Sequence, residues 1–182
     1  MEGYKTVSYS ETTLTELMIP SYSNFGGKIH GGVILSLMDK VAYVCAAKHA
    51  DAYCVTASID TVDFLAPVEV GELVSLLASV NYVGQSSLVI GIKVISENIK
   101  THLVKHTNTS YFTMVAFGDN NKPAQVPGLV LQSHLQARRF FEAYQRKELK
   151  KRDKQEGFKK TSNSTEEYLN LLKGQRFIMV PG

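Results

Sequence analysis

The chain has 182 residues, of which 44% are hydrophobic and 20% charged, and its formal net charge is +3. This length and composition are typical of one globular domain with a substantial core, and they exclude disordered and fibrous classes. Two cysteines, Cys45 and Cys54, are too few for a disulfide framework or a cysteine-based metal site. No apolar signal segment occurs at the N-terminus, so we predict a cytoplasmic protein.

The first predicted element is a strand from Thr12 to Ile19, which stops before Pro20. A helix is predicted from Val33 to Ala47, because this segment is apolar except at Ser36, Asp39 and Lys40. A helix so apolar is typical of a protein core, and it is too short and interrupted to span a membrane. At helical spacing these polar residues share one stripe with Tyr43. A carboxylate in a buried helix requires a hydrogen-bonding partner or a catalytic role.

A glycine-rich loop precedes this helix, with glycines at positions 26, 27, 31 and 32. Glycines at a helix start let an electron-rich atom approach the unpaired backbone N–H groups, and a carbonyl oxygen that gains negative charge suits that position. Alternatively, the glycines serve a tight turn and Asp39 is a core residue with satisfied hydrogen bonds. Asn24, taken alone, is typical of a turn residue. On the helix alone, both interpretations stay open.

Four further strands are predicted from their content of Val, Ile, Thr, Phe and Tyr, at residues 53–65, 73–83, 87–99 and 102–117. The links between them are short and favour antiparallel neighbours. We therefore predict an α+β fold in which a long antiparallel sheet wraps around the central helix. From Gly128 the pattern returns to helix. Residues 136–182 are predicted to form a C-terminal basic helix and tail after a domain at 1–135.

The positive charge is concentrated in that C-terminal part. Between Arg138 and Lys160 there are ten Lys or Arg and four Asp or Glu. A solvated helix face is the commonest explanation for such a run. It lacks the interleaved aromatic residues of single-strand nucleic-acid sites, so we expect no nucleic-acid partner.

Several separated motifs together resemble the hotdog-fold acyl-CoA thioesterases of the acyl-CoA hydrolase branch. The resemblance covers residues 11–135 and implies an enzyme that hydrolyses acyl-CoA to a free fatty acid and CoA. Coenzyme A is then part of the substrate, and neither a cofactor nor a metal is expected. The motifs are NFGGKIHGG at 24–32, LMDK at 37–40, VTASIDTVDFLAPVEVGE at 55–72, GQSS at 84–87 and NKPAQVPGL at 121–129.

The resemblance implies roles for three catalytic residues. The Asn24 side chain and the Gly31 backbone N–H polarise the thioester carbonyl, and Asp39 activates water as a general base or attacks directly. Gly31 and Asp39 lie eight residues apart, about 12 Å along a helix. They cannot reach one carbonyl from the same helix. We therefore expect a site shared between subunits of a homodimer, or of a higher oligomer such as a trimer of dimers.

Other residues are expected to contact the substrate: Gly32, His30, Gly84, Ser86, Ser87, Arg138 and Arg139. The arginines suit the phosphates of CoA, although a surface-helix role is common for such residues. The serines could equally serve a turn. His30 leaves open an alternative, a hotdog dehydratase acting on enoyl thioesters. A second alternative is a non-catalytic regulator that binds acyl-CoA.

Overall fold

The computed structural model describes residues 3–119 and 121–156. Its centre is a five-stranded antiparallel sheet with strand order β2-β4-β5-β6-β3. The elements are β1 (Tyr4–Thr6), α1 (Val7–Ser10), β2 (Thr12–Leu17), α2 (Gly31–Ala50), β3 (Tyr53–Ile59), β4 (Glu72–Val83), β5 (Ser87–Asn98), β6 (Val104–Phe117), β7 (Gly128–Val130) and α3 (His134–Glu156), with a short 3-10 helix at Pro20–Tyr22.

The core lies between α2 and one face of this sheet. Alternate residues of the strands point inward, because side chains alternate between the two faces of a strand. The completely buried set includes Met38, Val41, Ala42 and Cys45 of α2, and Val74, Leu76, Leu88, Ile90, Ile92, Val94, Phe112 and Ala116 of the sheet. The predicted α+β fold, a long antiparallel sheet around a central helix, is confirmed.

The segment after β3 differs from the prediction. A strand was expected to continue to Leu65 and to lie beside β4, but β3 ends at Ile59 and pairs with β6 instead. Residues 60–71 cross from the β3 edge towards β4, held by backbone bonds from Asp60 to Tyr111 and from Leu65 to Thr107. A connection this long removes the argument that β3 and β4 are neighbours.

The two ends of the described chain also differ from the prediction. Helix was expected from Gly128, yet Gly128–Val130 forms β7, which pairs in parallel with β1. The N-terminal segment, residues 4–10, packs on the C-terminal end of α2. There Lys5 Nζ binds Asp51 Oδ2 at 2.6 Å, and the buried His49 ring lies 3.3 Å from Ser10 Oγ and 3.1 Å from the Pro127 carbonyl oxygen.

The chain divides into two compact units, Met1–Tyr144 and Gln145–Gly182, so the division falls inside α3. The predicted domain boundary after residue 135 stays a prediction. The predicted tail beyond residue 156 lies outside the described residues. No helix in the described ranges is long and apolar enough to cross a membrane.

Candidate active site

The carboxylate of Asp39 lies on the open side of α2. Ser36, Lys40 and Tyr43 are exposed on the same side, so the predicted polar stripe is present on the helix. The expectation that Asp39 itself is buried is wrong within one chain, because the sheet covers only the side of α2 that carries Met38, Val41 and Cys45. Asp39 is therefore accessible to a substrate or to a second subunit.

A hydroxyl group holds this carboxylate in place. Thr56 Oγ1, on edge strand β3, donates to Asp39 Oδ1 at 2.5 Å and lies 3.4 Å from Met114 Sδ. The register between β3 and β6 shifts just after Thr56, at a β-bulge between Thr56 and Ser58. Bulges re-aim side chains at sheet edges and beside active sites. The bulge and the strand pairing together place the hydroxyl against the helix.

A depression of about 500 Å³ opens beside this pair. It lies between the exposed side of α2 and the edge strand β3, so it is accessible without any movement of the core. Its lining combines the carboxylate with apolar and aromatic side chains: Asp39, Lys40, Tyr43, Val44, Tyr53, Cys54, Val55, Thr56 and Met114.

The start of α2 offers a free backbone donor. His30 is the N-cap residue, and its Nδ1 accepts the Gly32 N–H at 2.9 Å. The N–H of Gly31, the first helical residue, has no acceptor among the described residues. The ring of Phe64 lies against Gly31, where an added Cβ would be 3.3 Å from its Cζ. Glycine at 31 thus leaves space for this ring, and the N–H remains available to an oxyanion.

Asn24 organises the loop that leads to this helix. Its Oδ1 accepts the N–H groups of Gly26 at 2.9 Å and Lys28 at 3.2 Å. The expected turn role of Asn24 is therefore present. These two bonds occupy only the oxygen of the amide, and in the described chain Nδ2 has no acceptor. An amide nitrogen has two N–H donors, so Asn24 can hold the loop and donate to a ligand.

The turn between β4 and β5 is tied to its neighbours through the backbone. Gly84 N donates to the Ser87 carbonyl at 2.7 Å, and the Ser86 carbonyl accepts from Ala116 N at 2.9 Å. A side chain at position 84 would meet Ser87 Oγ at 2.8 Å. These contacts give Gly84, Ser86 and Ser87 a turn role, and their contact with substrate stays a prediction.

Arg138 and Arg139 occupy the second turn of α3. Both line a depression on the sheet face opposite to α2, together with outward-facing residues such as Leu77, Lys93 and Tyr111. The structure therefore does not bring them beside Asp39 of the same chain.

Comparison with known proteins agrees with the sequence motifs and the fold. Residues 26–102 match the family model described as the Thioesterase superfamily. Protein VdlD of Helicobacter pylori is 44% identical over 147 residues, which cover 81% of this chain and 84% of VdlD. The chain belongs to the thioesterase superfamily.

Solved structures extend this result. A hexameric acyl-CoA thioesterase in its apo form superposes on this thioesterase with a TM-score of 0.79 and 36% identity, covering 82% of this chain and 96% of the other. A second match is an acyl-CoA hydrolase from Staphylococcus aureus in complex with butyryl coenzyme A, coenzyme A and coenzyme A disulfide. Its TM-score is 0.78 and its sequence identity is 29%, and the match covers 93% of this chain and 98% of the hydrolase. That hydrolase is also known with an asparagine, an aspartate or a threonine changed to alanine. The predicted family and its enzymatic character are confirmed.

The sequence analysis of this thioesterase missed Thr56. The residue lies in the VTASIDTVDF motif that supports the resemblance, but it was assigned only to a strand. A threonine in a strand is ordinary, so composition gave no signal. The available signal was the position of Thr56 within that motif. Its contact with Asp39 depends on the pairing of β3 with β6, which brings the hydroxyl to the carboxylate.

Proposed function

We propose that this thioesterase hydrolyses acyl-CoA to a carboxylic acid and CoA, with Asp39 as the base that activates water. The observation that carries the proposal is the Thr56 hydrogen bond, which fixes the Asp39 carboxylate at the edge of an open depression. The CoA ligands of the Staphylococcus aureus hydrolase support the substrate class. Its alanine variants concern one asparagine, one aspartate and one threonine, and Asn24, Asp39 and Thr56 are residues of the same three types.

The thioester carbonyl oxygen would accept two hydrogen bonds, from Asn24 Nδ2 and from the Gly31 N–H. Both donors lack an acceptor in the described chain. They belong to the loop and helix start whose backbone N–H groups are bound by Asn24 Oδ1 and by His30 Nδ1. Donors fixed in advance stabilise the negative charge that develops on the oxygen without reorganisation during the reaction.

The chemical steps follow from these positions. Asp39 takes a proton from water, and the water oxygen forms a bond to the thioester carbon, which moves an electron pair onto the carbonyl oxygen. When this electron pair returns to re-form the carbonyl, the carbon–sulfur bond breaks and the thiolate of CoA leaves with the electron pair of that bond. Proton transfer from Asp39 yields the thiol. Direct attack by Asp39, which forms a mixed anhydride before water enters, is the alternative route.

The active site would be shared between two subunits. Gly31 begins α2 and Asp39 lies eight residues later in the same uninterrupted helix, about 12 Å along its axis. The open side of α2 also exposes Tyr43 and Val44, and β3 is an edge strand with Tyr53 60% exposed. Apolar residues on a helix beside an unpaired strand edge suit a second copy of the chain. The hexameric relative supports a homo-oligomer, such as a trimer of dimers.

Two of the remaining predicted contacts, His30 and Gly32, fit this scheme as supporting residues. His30 and Gly32 form the cap at the start of α2, so we assign them to the position of the Gly31 donor. The cap also argues against the dehydratase alternative, because His30 Nδ1 already accepts a backbone N–H. The described cysteines are free thiols, which fits the proposed cytoplasmic location.

Subunit complementation tests the shared site. Asn24→Asp keeps the Oδ1 acceptor for the loop and removes the Nδ2 donor, and Asp39→Asn keeps the shape of the side chain and removes the base. Each variant alone should be inactive. After dissociation and random reassociation of equal amounts, an intact Asn24 meets an intact Asp39 in one site of four, so about a quarter of wild-type activity should return. If mass spectrometry confirms exchange and activity stays at the level of the single variants, the shared site is excluded.

A further inference from the structure

The geometry points to a second ligand site on the sheet face opposite to α2, which takes a small organic phosphate. The site is a depression of about 550 Å³, formed by outward-facing residues of β2, β4, β5 and β6 and by the second turn of α3. Small-molecule sites in proteins commonly have volumes of about 300–1,000 Å³. It is separated from Asp39 of the same chain by the sheet, and nothing in the proposed hydrolysis uses it.

A buried amide with a free donor lines this depression. Asn81 is only 6% exposed, and its Oδ1 accepts from Ser79 Oγ at 3.1 Å. Its Nδ2 has no acceptor among the described residues and is not one of their fully buried unpaired atoms, so this N–H donor is available to a ligand. Gly91 on the neighbouring strand makes room for this group, because any Cβ there would collide with Asn81 Nδ2. The chain thus keeps an unused donor where a ligand could accept from it.

Cationic side chains line the same depression as this amide. Lys93 and Arg139 make no ion pair within the described ranges, and Arg138 makes only a loose one, with Nε 3.8 Å from Glu142 Oε1. Glu11 and Glu142 also line the depression, so three cations face two carboxylates. Arginine side chains bind phosphate oxygens through paired N–H groups. The free cations therefore favour an anion with several acceptor oxygens.

The rest of the lining indicates that the anion is part of a larger molecule. Phosphate alone would leave most of the depression unfilled. Leu77 and the half-buried Tyr111 supply apolar surface, while Thr13, Ser79 and Thr109 supply hydroxyl groups. A phosphate group on a hydrogen-bonding organic body fits this combination. Two sources share that chemistry, a free nucleotide and the nucleotide end of a CoA molecule.

Calorimetric titration of the full chain with ADP and with pyrophosphate tests the site. We expect both to bind the wild type, and we expect Arg138→Ala combined with Arg139→Ala to weaken ADP binding at least tenfold. Asn81→Asp keeps the acceptor for Ser79 and replaces the donor by a negative charge, so it should weaken binding to a similar extent. Lys100→Ala, an exposed lysine outside the depression, is the matched control and should bind like the wild type. Circular dichroism melting confirms that each variant is folded.

Competition by CoA identifies the source of the phosphate. If saturating CoA leaves ADP binding unchanged, the site takes a free nucleotide. If CoA displaces ADP, and the double arginine variant also loses CoA affinity, the site holds the nucleotide end of CoA. Both results support the site. Failure of both ADP and pyrophosphate to bind at millimolar concentration, or equal binding to the wild type and the folded double variant, would overturn it.

Discussion

The hydrogen bond between Thr56 and Asp39 offers a direct test of the proposed mechanism. Thr56→Val keeps the branched shape of the side chain and replaces only the hydroxyl that lies 2.5 Å from the carboxylate. A hydrogen bond to a charged group contributes about 1.5–3 kcal/mol. Since about 1.4 kcal/mol corresponds to a tenfold change in rate, loss of Asp39 positioning should lower kcat by about 10- to 100-fold. KM should change little, because the hydroxyl binds the catalytic group and not the substrate.

The assay is steady-state release of CoA thiol from a short acyl-CoA. Thr56→Ser retains the hydroxyl and should stay within a few-fold of wild-type kcat. The control is Thr15→Val, which removes a hydroxyl bonded to Ser75 at 3.1 Å elsewhere in the sheet, and it should leave the kinetics unchanged. A Thr56→Val enzyme with wild-type kcat would refute the idea that this hydroxyl positions the base.

Two further predictions concern assembly and acid stability. Val44→Glu introduces a charge into the exposed apolar side of α2, so size-exclusion chromatography with light scattering should show smaller particles with little activity; an active oligomer of wild-type mass would contradict the shared interface. Burial lowers the pKa of His49 below 6.5, and Lys5 lowers it further, while the Pro127 and Gly128 backbones and Asp51 partly offset the shift. The unfolded chain then binds the proton more readily, so the free energy of unfolding should fall as pH drops below about 6.5. The loss of unfolding free energy at low pH should be smaller in His49→Gln than in the wild type, and it should equal the wild-type loss in a variant of the exposed His134. Equal pH profiles of the unfolding free energy for the wild type and both variants would contradict the role of His49.

The sequence predicted the features that depend on local pattern. The apolar run with a narrow polar stripe predicted α2 and the position of Asp39 on that stripe, at helical spacing from Ser36 and Lys40. The expected burial of Asp39 was wrong, because that side of the helix is exposed within one chain. The alternating strands β4 to β6 were predicted in nearly the observed ranges. In each case the deciding information is the repeat of apolar residues within one element.

Features that depend on distant pairing were not predictable in this way. Thr56 acts on Asp39 only because β3 joins the sheet beside β6. The segment after Ile59 has strand-like composition, but the pairing leaves it as a crossing loop. Gly128–Val130 forms a strand because its partner β1 comes from the other end of the described chain. A single sequence carries no direct signal for such long-range partners.

The contact between β1 and β7 has a consequence for how the chain folds during synthesis. Tyr4 leaves the ribosome early, whereas its partner Gly128 is made only after all five strands of the main sheet. Contacts between residues far apart in sequence form late because a long loop must close first. The N-terminal segment should therefore stay undocked while the sheet closes around α2, and it should dock on the end of α2 in a separate, final step. A nascent chain stopped before β7 emerges should already protect the backbone amides of β4 and β5 from hydrogen exchange, with those of β1 still exchanging freely.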